Sequence, residues 1–223
     1  MAGVRYRIRF SKTGPLRWIS HRDLIRLWER LLRRARLDLS MSEGFHPKPR
    51  MSFPSALALG TESLDEVIEL ELVDRIPDEE LLKRLRDDGQ PGLGILVAQA
   101  VPPGIGKARL RTTSYNFPIP ADAASDLPER IDRLLATETI EVTRKEKTKT
   151  FKVAEEILSL SRESDGLEMT LSASQQGALK ASDIIEILGL DHLVDSGGYL
   201  TRTRVELENE FETNNCVTEN HAS

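Results

Sequence analysis

A chain of 223 residues, 39% hydrophobic and 30% charged, has the makeup of an ordinary folded protein with room for one large or two small domains. Its single cysteine, Cys216, excludes an internal disulfide and any multi-cysteine zinc or iron–sulfur site built from this chain alone. The net charge of −5 hides a division: residues 1–50 hold thirteen Lys and Arg against four Asp and Glu, a net +9, so the remainder carries −14 and one end attracts anions.

Residues 4–10 alternate between Val4, Tyr6, Ile8 and Phe10 on one side and Arg5, Arg7 and Arg9 on the other, the period of a half-buried strand. A turn over 11–15 leads to Ser20 and Asp23, a helix start, and the spacing predicts a helix to about Arg36. Its buried stripe is Leu24, Leu27, Trp28, Leu31 and Ala35, and its opposite stripe is Arg22, Arg26, Arg30 and Arg33. A short strand is expected over 37–41, followed by a loop in which Pro47 and Pro49 hold the backbone extended. Segments 52–59 and 66–73 read as a hairpin around a 60–65 turn, 77–88 as a second helix and 94–101 as a closing strand.

The expected fold is therefore α+β, a ferredoxin-like antiparallel sheet with helices on one face. After a Pro/Gly linker (Pro102, Pro103, Gly104, Gly106), a second half of the same kind is expected, making two such domains in tandem. Its strands are placed at 112–119, 139–145, 151–160, 167–173 and 199–207, and its helices at 126–136 and 180–188. The divisions are 1–104, 105–207 and a polar tail, 208–223, expected to be disordered.

The strings FSKTGPLRWISHRDLIRLWERLLRRARL and SEGFHPKPRMSFPSALALGTES carry a long combined motif: Phe10, Lys12, Gly14, Ser20, His21, Asp23, Gly44, Phe45, Pro47, Pro49 and Arg50. On these positions the first domain resembles an uncharacterised bacterial family, the radical SAM-linked domain of unknown function. From about Arg111 onward the resemblance is weak, with Gly177-Ala178-Leu179-Lys180-Ala181 where family members show a proline-containing motif. Members occur alone or fused behind a radical SAM enzyme with its own three-cysteine motif. With one cysteine, this chain looks like the detached accessory domain, and the resemblance implies a separately encoded radical SAM partner.

Three candidate sites follow from the charges. Arg5, Arg7 and Arg9 with Lys12 could hold phosphates on an open sheet face, or could instead pair with Glu69 and Glu71 across the sheet. Arg22 and Arg26 on the helix, with His46, Lys48 and Arg50 on the stiff loop, offer a second anion grip; the plain alternative is a connection anchored by Phe45 in the core. His21 and His46 could act as acid and base in metal-independent RNA cleavage, though a histidine beside a serine cap also has a structural reading. No histidine pair has ligand spacing, and no Walker or dinucleotide motif is present, so no metal or cofactor is expected. No stretch approaches the roughly 18 uncharged apolar residues of a membrane helix, and the N-terminus lacks a signal peptide's apolar run, so a cytoplasmic location is expected. The expected function is a noncatalytic accessory module that binds an anionic substrate, RNA, with an endoribonuclease or a protein–protein adaptor as alternatives.

Overall fold

The computed structural model describes residues 3–120, 125–164, 166–173 and 177–211. Alternation in the first strand, β1 (Val4–Lys12), decides the layering: Tyr6, Ile8 and Phe10 are fully buried on one face and Arg5, Arg7 and Arg9 take the other. A 3-10 turn (Gly14–Trp18) leads into α1 (His21–Arg34). Ser20 fixes the helix start, since its hydroxyl accepts from the Asp23 amide at 3.2 Å and donates to the Asp23 carboxylate at 2.7 Å. Leu24, Leu27, Trp28 and Leu31 are buried as the spacing requires, Leu32 is buried beside them and Ala35 at the end of the stripe is half-buried, and the Trp28 ring stands edge-on to Phe10 at 5.1 Å.

The first half continues with β2 (Met51–Ser52), β3 (Glu62–Leu72), α2 (Asp78–Asp87) and β4 (Leu93–Ala100). The second contains β5 (Leu110–Pro118), α3 (Leu127–Leu135), β6 (Thr139–Arg144), β7 (Lys147–Lys152), α4 (Val153–Glu156), β8 (Ile157–Glu163), β9 (Gly166–Ser172), α5 (Ala181–Ile187), α6 (Asp191–Asp195) and β10 (Thr201–Leu207). The fold is mixed α+β: one sheet runs in the order β4-β1-β3-β10-β5-β9-β8, with β2 also on β3, and β6 and β7 form a separate hairpin. Every pairing is antiparallel except β3 with β10, which meet in parallel over Thr201↔Glu62 and Arg202↔Ser63 alone. The first half thus has the strand order of a ferredoxin-like βαββαβ unit, and β10-β5-β9-β8 repeats that order. Each half has its own apolar core under its helices, one around Tyr6, Phe10 and Trp28 and one around Phe117, Leu167 and Ile184.

Four expectations are corrected. Of the expected 52–59 strand only Ser52, with Met51 before it, pairs with β3; Pro54 has no amide for a ladder, and 53–60 leaves the sheet while β3 begins earlier, at Glu62. The 37–41 strand is reduced to single bridges, Leu39↔Leu72 and Met41↔Pro49. The continuous 151–160 strand is broken by α4, because Lys147–Lys152 pairs back onto β6 before the chain turns into β8. The tail is ordered at its start: Asn209 accepts from Arg7 through its carbonyl at 2.8 Å, and Phe211 lies 4.7 Å from the Arg7 guanidinium. Residues 212–223, with Cys216 and His221, lie outside the described residues.

Gly92 shows how tightly the β1 end is closed. Its φ is +84°, and a Cβ there would stand 2.5 Å from the Thr13 carbonyl oxygen, whose own amide donates to Gly92 O at 2.8 Å. Gly104 has φ +86° with open space around it. Gly104→Ala is expected to cost about 1 kcal/mol for the left-handed backbone. Gly92→Ala adds a backbone clash and is expected to cost roughly 2–3 kcal/mol in a denaturant titration.

Candidate functional site

The structure divides the basic residues of the first fifty between two faces of the sheet. Arg7 is 4% exposed and donates to Glu69 from Nε at 3.1 Å and from Nη2 at 2.9 Å. Arg9 pairs with Asp65 at 2.7 Å and with Glu210, and it also reaches the Val205 carbonyl. Arg5 donates to the Ile105 carbonyl. The cross-strand register places these arginines opposite Glu71, Glu69 and Val67, and segments 105–110 and 208–211 meet them from outside. The pairing alternative therefore describes this face, and Arg5, Arg7 and Arg9 are engaged within the protein rather than laid open to a phosphate backbone.

The exposed cations lie on α1 and the loop after it. Arg22, Arg26, Arg30 and Arg33 are exposed at i, i+4, i+8 and i+11, a stripe about 16 Å long at 1.5 Å per residue. Only Arg26 has an ion pair, with Asp23 at 3.5 Å; Arg22, Arg30 and Arg33 have none among the described residues. The 42–50 loop is pinned at its base, where Ser42 N donates to Lys48 O at 2.8 Å and Lys48 N to Ser42 Oγ at 2.9 Å. Arg33, Glu29, Met41 and Pro49 line one shallow groove, so the loop base sits against the C-terminal half of the arginine stripe. Lys48 and His46 are exposed, and Arg50 pairs with Glu71 at 3.2 Å. Phe45 is fully exposed, so the plain alternative, a connection anchored by Phe45 in the core, does not describe this loop.

Lys12 has a different fate. The strand shifts register between Phe10 and Lys12, and the lysine is 2% exposed at the junction of the two halves. Burial pulls its ammonium below its usual value, against the opposing charge of Glu66. Its ammonium has no hydrogen bond or ion pair among the described residues. Beside it Arg202 of β10 donates to Glu66 at 2.8 Å and to the Tyr115 hydroxyl at 2.9 Å, tying together strands of both halves. Burial pushes the Glu66 carboxyl up, and the Arg202 guanidinium pulls it back. Lys12 is thus a member of a buried charge cluster, and an exposed strand of nucleic acid does not reach it.

The histidines are not brought together. His21 opens α1 with its ring edge-on to Phe53 at 5.2 Å, whereas the loop that carries His46 is rooted near Arg33, about 18 Å further along the helix axis. Among the described residues no cluster of His, Cys, Asp or Glu has the geometry to hold a metal, and no helix is long and apolar enough to cross a membrane.

Residues 5–181 match a family described as an uncharacterized protein conserved in bacteria (DUF2344), a match that runs well beyond the first hundred residues where the quoted motifs lie. No curated protein matches the chain. Among the solved structures that overlap it loosely are an unknown protein from Galdieria sulphuraria, with a TM-score of 0.28, 10% identity and coverage of 92% of this chain and 98% of that one, and a protein provisionally described as a glycine cleavage system transcriptional repressor, with a TM-score of 0.27, 10% identity and coverage of 93% and 98%. Overlaps this low leave the fold to rest on the strand order alone.

Proposed function

Taking as premise that the chain belongs to the bacterial DUF2344 family, we propose that it is a noncatalytic binding module, two ferredoxin-like units (1–104 and 105–207) edge to edge, that holds RNA and presents it to a separately encoded radical SAM protein. The observation that carries this reading is the stripe of Arg22, Arg26, Arg30 and Arg33, three of them without an ion pair among the described residues, leading to a loop with exposed His46 and Lys48. Guanidiniums left without acidic partners along one helix face are the footprint of a polyanion site, since ordinary surface arginines in an acidic protein find carboxylates. The radical SAM partner rests on the resemblance of the motif residues alone.

The test is RNA binding by the full chain across a salt series, beside a variant with Arg22, Arg26, Arg30 and Arg33 all changed to glutamine. Neutralising four or five phosphates of a single strand gives a slope of log K on log salt of roughly −3. The variant is expected to lose most of that slope and to bind about a hundredfold more weakly at low salt. Unchanged binding by the variant would remove the stripe from the site.

A role as a protein–protein adaptor is favoured by Phe45, an unburied aromatic at the tip of a pinned loop, which is the kind of anchor a partner's pocket takes up. If neither form binds RNA, this loop becomes the site to test against the radical SAM protein.

A further inference from the structure

On the helix side of the sheet a cleft of about 1290 Å³ opens where the two halves join, walled by the 53–60 segment, β5, β10 and α5. Two guanidinium–tyrosine pairs stand in it. Arg17 lies 4.2 Å from the Tyr199 ring centroid and 5.2 Å from that of Trp18, and Arg202 lies 5.3 Å from that of Tyr115. Trp18, on the cleft wall, is 60% exposed, and Gly60 makes room for it: a Cβ at Gly60 would stand 3.2 Å from the indole.

The donors of this wall are not used up. Among the described residues Arg17 Nε is buried without a hydrogen-bond partner, and its Nη1 makes only a long 3.4 Å contact with Glu62. Arg202 is anchored by Glu66 and Tyr115, with the unpartnered Lys12 ammonium close enough to feel both Arg202 and Glu66. Flat aromatic faces beside cations that retain free donors suit a ligand with both a planar ring and an anionic group, and leave a purely apolar ligand with buried charges unmatched.

We infer that this cleft binds a nucleotide, its base against Trp18 and Tyr199 and its phosphate against Arg17, and that it receives one unit of the strand held by α1. The last clause rests on the RNA reading above. Trp18 precedes Arg22 by four residues, so the arginine stripe begins beside the cleft. Stacking in the cleft would give the module a base contact that the helix stripe, which meets only phosphates, does not supply.

The chain has two tryptophans, one exposed on the cleft wall and one, Trp28, fully buried in the core, so a fluorescence change on ligand binding reports on Trp18. The full chain is titrated separately with AMP, UMP, adenosine and inorganic phosphate. AMP or UMP is expected to quench saturably, with adenosine and phosphate each roughly tenfold weaker. Arg17→Gln is expected to weaken AMP roughly tenfold with the circular dichroism spectrum unchanged. Trp18→Phe removes the quench but keeps heat of AMP binding by calorimetry. Absence of saturable quenching at millimolar AMP and UMP overturns the inference, as does phosphate alone matching AMP. The four-arginine variant separates the two readings. If it loses RNA but still binds AMP, both stand; RNA binding by wild type without any AMP binding sinks the cleft alone. AMP binding without RNA binding keeps the nucleotide site and sinks the strand.

Discussion

Replacing Arg202 with alanine is expected to destabilise the protein by about 3 kcal/mol or more and to lower Tm by roughly 10 °C. Arg202 and Glu66 are a buried pair, 5% and 4% exposed at their side chains, so the substitution leaves a carboxylate inside the protein without its main partner. The site matters beyond one ion pair. Among the described residues, strand pairing between the halves is confined to two residues each of β3 and β10, and the Arg202 guanidinium bridges Glu66 on β3 to Tyr115 on β5 across that seam. Lys12 moderates the loss, because with the Arg202 charge gone it faces Glu66 without the repulsion that now lowers its own proton affinity.

The pH dependence fixes the mechanism. Burial raises Glu66 above its ordinary 4.5 in the folded state, and losing Arg202 removes a cause that lowers it. A folded carboxyl with a raised pKa binds its proton when the unfolded one does not, so the associated stability is present below the unfolded value and lost as pH rises through the folded one. Arg202→Ala should therefore regain part of its deficit as pH falls from neutral toward 5, measured by urea titration at each pH. Adding Glu66→Gln should restore part of it at neutral pH as well. A deficit that ignores pH and persists in the double variant would point to lost packing against Tyr115 instead.

The sequence disclosed what is periodic and concealed what depends on register. The alternation in β1 and the stripes of α1 are local, and the Ser20 start and the buried Leu24, Leu27, Trp28 and Leu31 follow from spacing alone. The same alternation could not say which residues meet from across the chain. Arg7 finds Glu69, 62 positions away, and Asn209, 202 away, and both contacts come from strand pairing and a C-terminal return that no local pattern announces. Lys12 shares its charge with the arginines but stands two residues after Phe10, so the alternation that turns Phe10 inward carries Lys12 to the same face, beside the fully buried Ser63. The cleft was the least legible feature, since Arg17, Tyr115, Tyr199 and Arg202 lie on a turn, two distant strands and the segment leading into β10, each unremarkable in its own place. The 53–60 segment misled for a related reason: its Ala and Leu residues look like strand, but Pro54 and the left-handed Gly60 bend it out to form a wall.

Arg7 supplies the sharpest separation of scaffold from site. As a buried partner that donates twice to one Glu69 oxygen it should behave structurally: Arg7→Ala is expected to cost about 3–5 kcal/mol by leaving Glu69 charged and unpaired under the 208–211 segment. Arg7→Lys should recover only part, because an ammonium cannot reproduce the two-pronged contact with Glu69 and still reach the Asn209 carbonyl. The double change Arg7→Met with Glu69→Leu removes both charges together and should be near neutral for stability, which keeps the protein available for binding assays. That double variant is expected to bind RNA with the wild-type salt slope, in contrast to the α1 variant. If it loses RNA binding while folded, the strand face takes part in recognition, and the 208–211 segment must move aside to admit the strand.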